Sequence, residues 1–66
     1  MQVSVNGQSR EVADGATIAE LVAELGVKPQ YVAVEVNLEL VPRERHADRR
    51  LVDGDQLEVV TLVGGG

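Results

Sequence analysis

The stretch TIAELVAELG, residues 17–26, decides the fold of this chain. Four apolar side chains recur at the i, i+3, i+4 and i+7 spacing of one helix face: Ile18, Leu21, Val22 and Leu25. Thr17 and Glu20 form a capping-box pattern, in which each side chain can bond to the other residue's backbone N–H. Gly26 suits the left-handed position after a helix, and Pro29 prevents the helix from resuming. The pattern predicts one amphipathic helix with a defined start and end.

Two short strands are predicted before this helix. Residues 1–5 alternate in polarity, with Val3 and Val5 on one face. Asn6-Gly7 follows, and this dipeptide is a strong hairpin signal because both central positions of a type I′ turn need a positive φ. We therefore expect the return strand at residues 9–12.

Three more strand segments are predicted after the helix. Residues 32–36 alternate valine with alanine and glutamate. Residues 37–39 are expected to connect this strand to a short one at residues 40–41, which ends at Pro42 because proline has no N–H for a strand ladder. Residues 43–50 are charged and are expected to form a loop with at most one helical turn. The last strand is predicted at residues 56–63.

This order of elements predicts an α+β fold. A single helix must cover one face of the sheet, because nothing else in the chain can bury it. The β-grasp (ubiquitin-like) arrangement satisfies the order, with a mixed sheet of four to five strands packed on one helix. In that arrangement the first and last strands lie side by side, in parallel, at the centre of the sheet. We expect residues 1–63 to form this domain and residues 64–66 to form a flexible glycine tail.

Size and composition restrict the possible functions. The chain has 66 residues, a net charge of −5 and no cysteine. A single small domain is expected, without disulfides. The acidic surface disfavours binding to nucleic acid or to an anionic membrane. The N-terminus lacks the pattern of an export signal, and no apolar run approaches the ~18 residues of a membrane span, so we expect a cytoplasmic protein.

Several polar residues are interpreted as structural. The arginines at residues 43–50 are expected to lie in a solvated loop and to pair with nearby carboxylates, with partner recognition as the alternative. Asp53 and Asp55 flank Gly54 and are assigned to a turn, because two carboxylates are too few for a calcium loop. His46, the only histidine, is expected to be solvated.

The sequence ends in Val63-Gly64-Gly65-Gly66, which is its most informative feature for function. Three glycines have no side chain to pack, and they extend about 10 Å at ~3.3–3.6 Å per residue. The reactive group offered there is the α-carboxylate of Gly66; a frayed terminus is the alternative. A carboxylate must be activated before it can accept sulfur. The chain has no phosphate-binding loop and no cysteine nucleophile, so any catalyst must be another protein.

The last strand also suggests a partner surface. Alternation places Leu57, Val59, Thr61 and Val63 on one face of this strand and Glu58, Val60 and Leu62 on the other. In a sheet covered on one side only, Val60 and Leu62 are expected to be exposed beside the tail, where they would suit docking to a partner. The alternative is that the loop at residues 43–50 shields them.

Several stretches taken together resemble the ThiS family, the sulfur carriers of thiazole synthesis for thiamine. They are VAVEVN at residues 32–37, VPR at residues 41–43, LVDGDQLEVV at residues 51–60, VGGG at residues 63–66, and the helix start at Thr17. The resemblance covers nearly the whole chain, including its length. Each motif alone is weak, and the combination is strong.

The resemblance implies a β-grasp fold and a carrier that is not itself an enzyme and has no cofactor. An ATP-dependent, ThiF-like adenylating enzyme would convert the carboxylate of Gly66 into an acyl-adenylate. Sulfur from a donor such as a cysteine desulfurase would then yield a thiocarboxylate, from which a ThiG-like thiazole synthase takes sulfur. Gly65 completes the terminal diglycine, and Gly64 adds flexibility to the part of the tail that a partner recognises.

Two alternatives to this function stay open. A carrier for molybdopterin or another sulfur pathway would also end in Gly-Gly, but such carriers are usually longer and richer in aromatic residues near the tail. The VPR element and the low aromatic content favour thiamine. The other alternative is a noncovalent ubiquitin-like binding module, in which the tail is incidental.

Overall fold

Five strands, one α-helix and two short 3₁₀ helices make up residues 1–62, the part of the chain that this computed structural model describes. The strands and the helix are β1 (Gln2–Val5), β2 (Gln8–Glu11), α1 (Ile18–Leu25), β3 (Val32–Val36), β4 (Glu39–Val41) and β5 (Gln56–Thr61). The 3₁₀ helices are Pro29–Tyr31 and Arg43–Arg45. The last strand was predicted at residues 56–63, but β5 ends at Thr61, before Leu62. Val63 and the predicted tail at residues 64–66 lie outside the described residues.

The five strands form one mixed sheet in the order β2-β1-β5-β3-β4. β1 and β5 pair in parallel, with Ser4 opposite Gln56 and Val5 opposite Leu57. The other pairs are antiparallel. The predicted α+β class, the β-grasp arrangement and the parallel pair of first and last strands at the sheet centre are confirmed.

Both ends of α1 are set by local sequence. The backbone N–H of Glu20 donates to Oγ1 of Thr17 at 3.2 Å, and the N–H of Thr17 donates to Oε1 of Glu20 at 2.8 Å. Gly26 has φ +76°, the left-handed conformation that favours glycine. The predicted capping box and helix end are therefore confirmed.

The core lies between α1 and one face of the sheet. It is built from aliphatic side chains: Val3, Val5, Val12, Ala16, Ile18, Leu21, Val22, Val32, Val34, Val36, Leu51 and Leu57. The helix contributes Ile18, Leu21 and Val22, as its periodicity predicts. Full burial of such a side chain stabilises a fold by roughly 1.5–3 kcal/mol, so this small set of residues carries most of the hydrophobic stabilisation.

β3 and β4 form a hairpin whose turn the sequence pattern does not predict. Asn37 and Leu38 have φ of +52° and +71°, the signs of a type I′ turn. The second strand starts at Glu39, whereas we predicted that residues 37–39 were a connection. The prediction was wrong by one residue because leucine is unusual at the second turn position, where glycine has no steric cost.

The charged segment at residues 43–50 folds over the start of α1. The N–H of Ala19 donates to the carbonyl of His46 at 2.9 Å, and the N–H of Ile18 donates to the carbonyl of Arg49 at 3.0 Å. The expectation that His46 is solvated was wrong, since it is only 5% exposed. Its Nε2 lies 3.0 Å from the carbonyl oxygen of Val41; a carbonyl only accepts, so Nε2 is the donor.

The first residue fastens the β1–β2 edge of the sheet. The terminal ammonium of Met1 donates to Oε2 of Glu11 and to the carbonyl of Val12, both at 2.9 Å. The hydrogen bond to Glu11 is the main reason that the pKa of this amine is raised above 8.0. β2 ends at Glu11, one residue before the predicted end, but Val12 continues the pairing in the same register, because its N–H donates to the carbonyl of Met1 at 2.9 Å.

α1 is eight residues long, and no helix within residues 1–62 is long and apolar enough to cross a membrane.

Candidate functional site

The candidate site is the C-terminal end of β5. This strand lies in the centre of the sheet, between β1 and β3. Its last described backbone bond runs from the N–H of Leu62 to the carbonyl of Tyr31, at 2.6 Å. Gly66, the predicted attachment point, and Gly64 and Gly65, the predicted recognition residues, lie outside the described residues, and their roles stay predictions.

Asn6 holds β5 near this end. β1 stops at Val5, and from there the Asn6 side chain replaces the backbone ladder. Its Oδ1 accepts from the N–H of Val59 at 2.8 Å, and its Nδ2 donates to the carbonyl of Val59 at 3.1 Å. The Asn6-Gly7 pattern predicts only a turn for Asn6. Its second role depends on β5 lying beside β1, which local sequence does not reveal.

Asn37 holds the start of β5 through its side chain and its backbone. Its Oδ1 accepts from the N–H of Gln56 at 3.0 Å, and its backbone N–H donates to the carbonyl of Gln56 at 2.7 Å. Its Nδ2 donates to Oδ1 of the buried Asp55 at 3.0 Å. Both asparagines are the first residue of a turn at positive φ, so each turn also fixes the central strand.

Asp53 and Asp55 have the turn roles predicted for them. Oδ2 of Asp55 accepts from the N–H of Val52 at 2.9 Å, and Oδ1 of Asp53 accepts from the N–H of Gln2 at 2.8 Å. The turn is thereby joined to β1. Among residues 1–62, no group of three His, Cys, Asp or Glu side chains could hold a metal ion.

The sheet has a second face, opposite α1, which we call the outer sheet face; it includes Glu35, Leu40, Glu58, Val60 and Leu62. Val60 is 54% exposed and Leu62 is 56% exposed. The predicted exposure of these two side chains is confirmed. The loop at residues 43–50 does not shield them, because it is bonded to the start of α1 on the other side of the sheet. Their role in partner binding stays a prediction.

β5 passes beyond the cover of α1. Leu57 is buried, Val59 is half-buried and Thr61 is exposed, although all three alternate onto the helix side. The helix ends at Leu25, which leaves a groove of about 520 Å³ bordered by Leu25, Val59 and Thr61. The strand therefore leaves the core gradually, and its last residues are accessible on both faces.

The charged loop makes few contacts through its guanidinium groups. Arg50 donates to the carbonyl of Gly15 at 2.9 Å, and Arg49 donates to the carbonyl of Arg50 at 3.1 Å. None of the four arginines at residues 43–50 forms a salt bridge within residues 1–62. The loop is held by backbone bonds rather than by the carboxylate pairs that we expected.

Known proteins similar to this chain share both its sequence and its fold. The ThiS family profile matches residues 3–66. A sulfur carrier protein ThiS from Escherichia coli is 35% identical over 66 residues, the full length of both chains. The crystal structure of a thiamine biosynthesis protein (ThiS) from Geobacter metallireducens superposes with a TM-score of 0.84 at 36% identity, covering 100% of both chains.

A longer protein also contains a segment similar to this chain. A thiazole synthase from Paramagnetospirillum magneticum is 44% identical over 66 residues, which is all of this chain and 20% of that protein. The chain thus spans about a fifth of this relative and the whole of the Escherichia coli one. The profile matches residues 3–66, and the similarity to the Escherichia coli protein extends over the full length of both chains. The chain therefore belongs to the ThiS family.

Proposed function

We propose that this chain is a sulfur carrier of thiamine biosynthesis that holds sulfur as a thiocarboxylate on Gly66. The observation that carries the proposal is the match to the ThiS family up to residue 66, together with full-length similarity to a protein named sulfur carrier. The position of β5 supports it, because the central strand leads directly into the glycine residues and its end is accessible.

The proposed chemistry has two steps. An oxygen of the Gly66 carboxylate attacks the α-phosphorus of ATP, pyrophosphate leaves, and an acyl-adenylate forms. A donor carrying sulfur at the sulfide level then attacks the acyl carbon, AMP leaves, and one carboxylate oxygen has been replaced by sulfur without a net redox change. A persulfide donor would need two further electrons, which a thiol supplies.

Partner proteins must supply the catalysis. The chain has no cysteine, so it offers no thiol to capture an activated acyl group. The proposed partners are a ThiF-like adenylating enzyme, a sulfur donor such as a cysteine desulfurase, and a thiazole synthase as the acceptor of sulfur. The relative named thiazole synthase supports the last of these, because it contains a segment similar to this chain. The reaction is proposed to take place in the cytoplasm.

The domain is proposed to present the tail rather than to act on it. Leu62 is bonded to Tyr31, so the four residues after Leu62 start from a fixed point at the sheet. At ~3.3–3.6 Å per residue, four residues span at most about 14 Å. Glycine allows close approach of a backbone to another surface, which suits entry into a narrow active site.

Intact-mass spectrometry tests the proposal. The chain is incubated with an adenylating enzyme, ATP, a desulfurase and cysteine, and we expect the mass change of one oxygen replaced by sulfur, located at Gly66 by fragmentation. Omission of ATP is the first control. A chain that ends at Val63, without the three glycines, is the second, and it should stay folded and unmodified.

Two outcomes would count against the carrier function. One is an unchanged mass in the presence of an adenylating enzyme that modifies another carrier. The other is a chain without residues 64–66 that still supports thiazole formation, which is the behaviour of a noncovalent binding module.

A further inference from the structure

β2 is an edge strand with backbone groups that point out of the sheet. It stands at the end of the sheet order, so β1 is the strand paired with it within residues 1–62. The amine of Met1 donates to the carbonyl of Val12, and the N–H of Val12 donates to the carbonyl of Met1, so the two residues form a hydrogen-bonded pair. Such pairs alternate along an antiparallel ladder. Arg10 is therefore bonded to β1 as well, whereas the N–H and C=O groups of Ser9 and Glu11 point away from the sheet.

The groove of about 520 Å³ at the end of α1 reaches this edge. Its lining includes Gln8 and Arg10 of β2, together with Leu25 and Val27. Arg10 lies opposite the buried Val3 of β1, so its side chain is on the helix side of the sheet. A strand added to β2 would place every second side chain on that same side. The groove can therefore receive side chains of an added strand, and its apolar lining suits apolar ones.

The guanidinium group of Arg10 is incompletely paired. Its Nε is buried and has no hydrogen-bond partner within residues 1–62. Its Nη2 is 3.8 Å from Oε1 of Glu24, beyond hydrogen-bond distance, and both side chains are partly exposed. Burial of a polar group without a partner is unfavourable, so a further acceptor is favoured here. A carboxylate directly opposite Arg10 on an added strand would supply it, because opposite charges at facing positions stabilise a sheet.

We propose that β2 binds an extended peptide segment of another protein as a sixth strand, with an acidic residue of the segment opposite Arg10 and apolar residues two positions away in the groove. Charge complementarity defines the occupant, and the outward backbone groups of Ser9 and Glu11 supply its hydrogen bonds. The net charge of −5 disfavours a run of acidic residues, so the segment carries one carboxylate at this position.

This site goes beyond the proposed function and does not depend on the carrier chemistry. It lies on the helix side of the sheet, so a bound segment leaves Val60 and Leu62 on the outer sheet face uncovered. One protein can thus hold the chain by its edge while another uses the end of β5.

The test uses a synthetic heptapeptide, blocked at both ends, in which valine, glutamate and valine alternate with threonine. Its order is the same in both directions, so it suits a parallel or an antiparallel strand. The peptide is titrated into the isotopically labelled chain, which is followed by NMR. We expect saturable shift changes at residues 8–11 and 25–27. The amides of Ser9 and Glu11 should exchange their hydrogens more slowly with peptide bound, because they gain partners that β1 does not provide.

A double-mutant cycle tests charge recognition. Arg10→Gln should raise the Kd of the peptide by about twofold to fivefold, and so should replacement of the peptide's glutamate by glutamine. In Arg10→Gln the two peptides should bind equally, because the charge pair is already lost. Glu24→Gln should lower the Kd of the glutamate peptide, because it removes the carboxylate that competes for Arg10.

Proline on each edge of the sheet tests strand addition. Ser9→Pro removes an N–H that faces away from β1, so the chain should stay folded while the Kd rises by about fivefold to tenfold. Leu40→Pro is the matched control on β4. Leu40 is also the second residue after a two-residue turn, so its N–H faces away from β3. This variant should bind the peptide with wild-type affinity, and the Tm of both variants verifies their fold.

Four outcomes would overturn the inference. They are the absence of saturable shift changes, shift changes confined to the outer sheet face, equal weakening by Ser9→Pro and Leu40→Pro, and a preference for the glutamate peptide that persists in Arg10→Gln. Dimerisation of the free chain that Ser9→Pro abolishes, measured by sedimentation, would assign the edge to a second copy instead. If Ser9→Pro does not fold, the charge cycle and the exchange rate of the Ser9 amide still decide.

Discussion

Asn6 and Val59 exchange two hydrogen bonds, in which one side-chain amide replaces a backbone pair between the hairpin turn and the central strand. The distances are 2.8 Å and 3.1 Å, and Asn6 adopts φ +52°. Asparagine thus tolerates the left-handed conformation, and its side chain is long enough for its amide to donate to and accept from the backbone of Val59.

Replacement of Asn6 should separate these two contributions. Asn6→Gly keeps the positive φ at no steric cost and loses both hydrogen bonds, so we expect a loss of about 1–2 kcal/mol. Asn6→Ala adds the cost of the left-handed conformation and should lose about 2–3 kcal/mol. Urea denaturation of the two variants measures the difference, and equal losses would show that backbone conformation contributes nothing.

Leu38 should be replaceable with a gain in stability. Its side chain is 90% exposed, so replacing it removes little packing. Its backbone adopts φ +71°, a conformation that is unfavourable for leucine. Leu38→Gly should stabilise the chain by about 0.5–1 kcal/mol. Leu38→Ala keeps the strain and serves as the control. A destabilised Leu38→Gly variant would contradict this interpretation of the turn.

Two valines on opposite faces of the sheet should respond differently to truncation. Val34 is buried in the core, and Val34→Ala should cost about 2–3 kcal/mol through lost burial and a residual cavity. Val60→Ala should change the free energy of unfolding by less than about 0.5 kcal/mol, because Val60 is exposed.

Val60→Ala also tests docking. If Val60 contacts a partner, Val60→Ala should slow sulfur transfer to thiazole synthase at low carrier concentration although its fold is intact. Transfer at the wild-type rate would remove Val60 from the docking surface.

Alkaline pH should weaken the β1–β2 edge. Contact with Glu11 raises the pKa of the Met1 amine above 8.0 in the folded chain. The folded state thus binds the proton more tightly than the unfolded state, so this contribution is complete below pH 8 and is lost as the pH rises through the folded pKa. Stability measured from pH 7 to pH 10 should show this decline in the wild type.

Glu11→Gln is the control for the pH effect. It removes the main cause of the raised pKa, so the decline between pH 8 and pH 10 should be smaller. An identical decline in both proteins would assign the pH dependence to other groups.

The features that sequence predicts here are those set by near neighbours. The capping box joins Thr17 to Glu20, three residues away, and Gly26 follows directly on the last helical residue. The alternation of residues 32–36 is equally local. The fold class follows from these elements, since one helix and several short strands have few ways to share a core.

What sequence does not reveal depends on contacts between distant segments. His46 is buried because the charged loop folds onto α1 and brings the ring to Val41. Asn6 meets Val59 from 53 positions away. The pairing of Glu35 with Glu58 needs the strand register, which alternation alone does not provide. At the candidate site, therefore, strand alternation predicted the exposure of Val60 and Leu62, and the topology was needed to place Asn6 beside Val59.

The central position of β5 has a mechanical consequence. Traction on the C-terminal end is transmitted along the strand to the hydrogen bonds with β1 on one side and β3 on the other. These bonds run across the direction of pulling and are loaded together in shear rather than opened one at a time. An enzyme that draws in residues 63–66 would therefore pull on a strand that is paired on both sides, and the globular part would resist unravelling while its end is held.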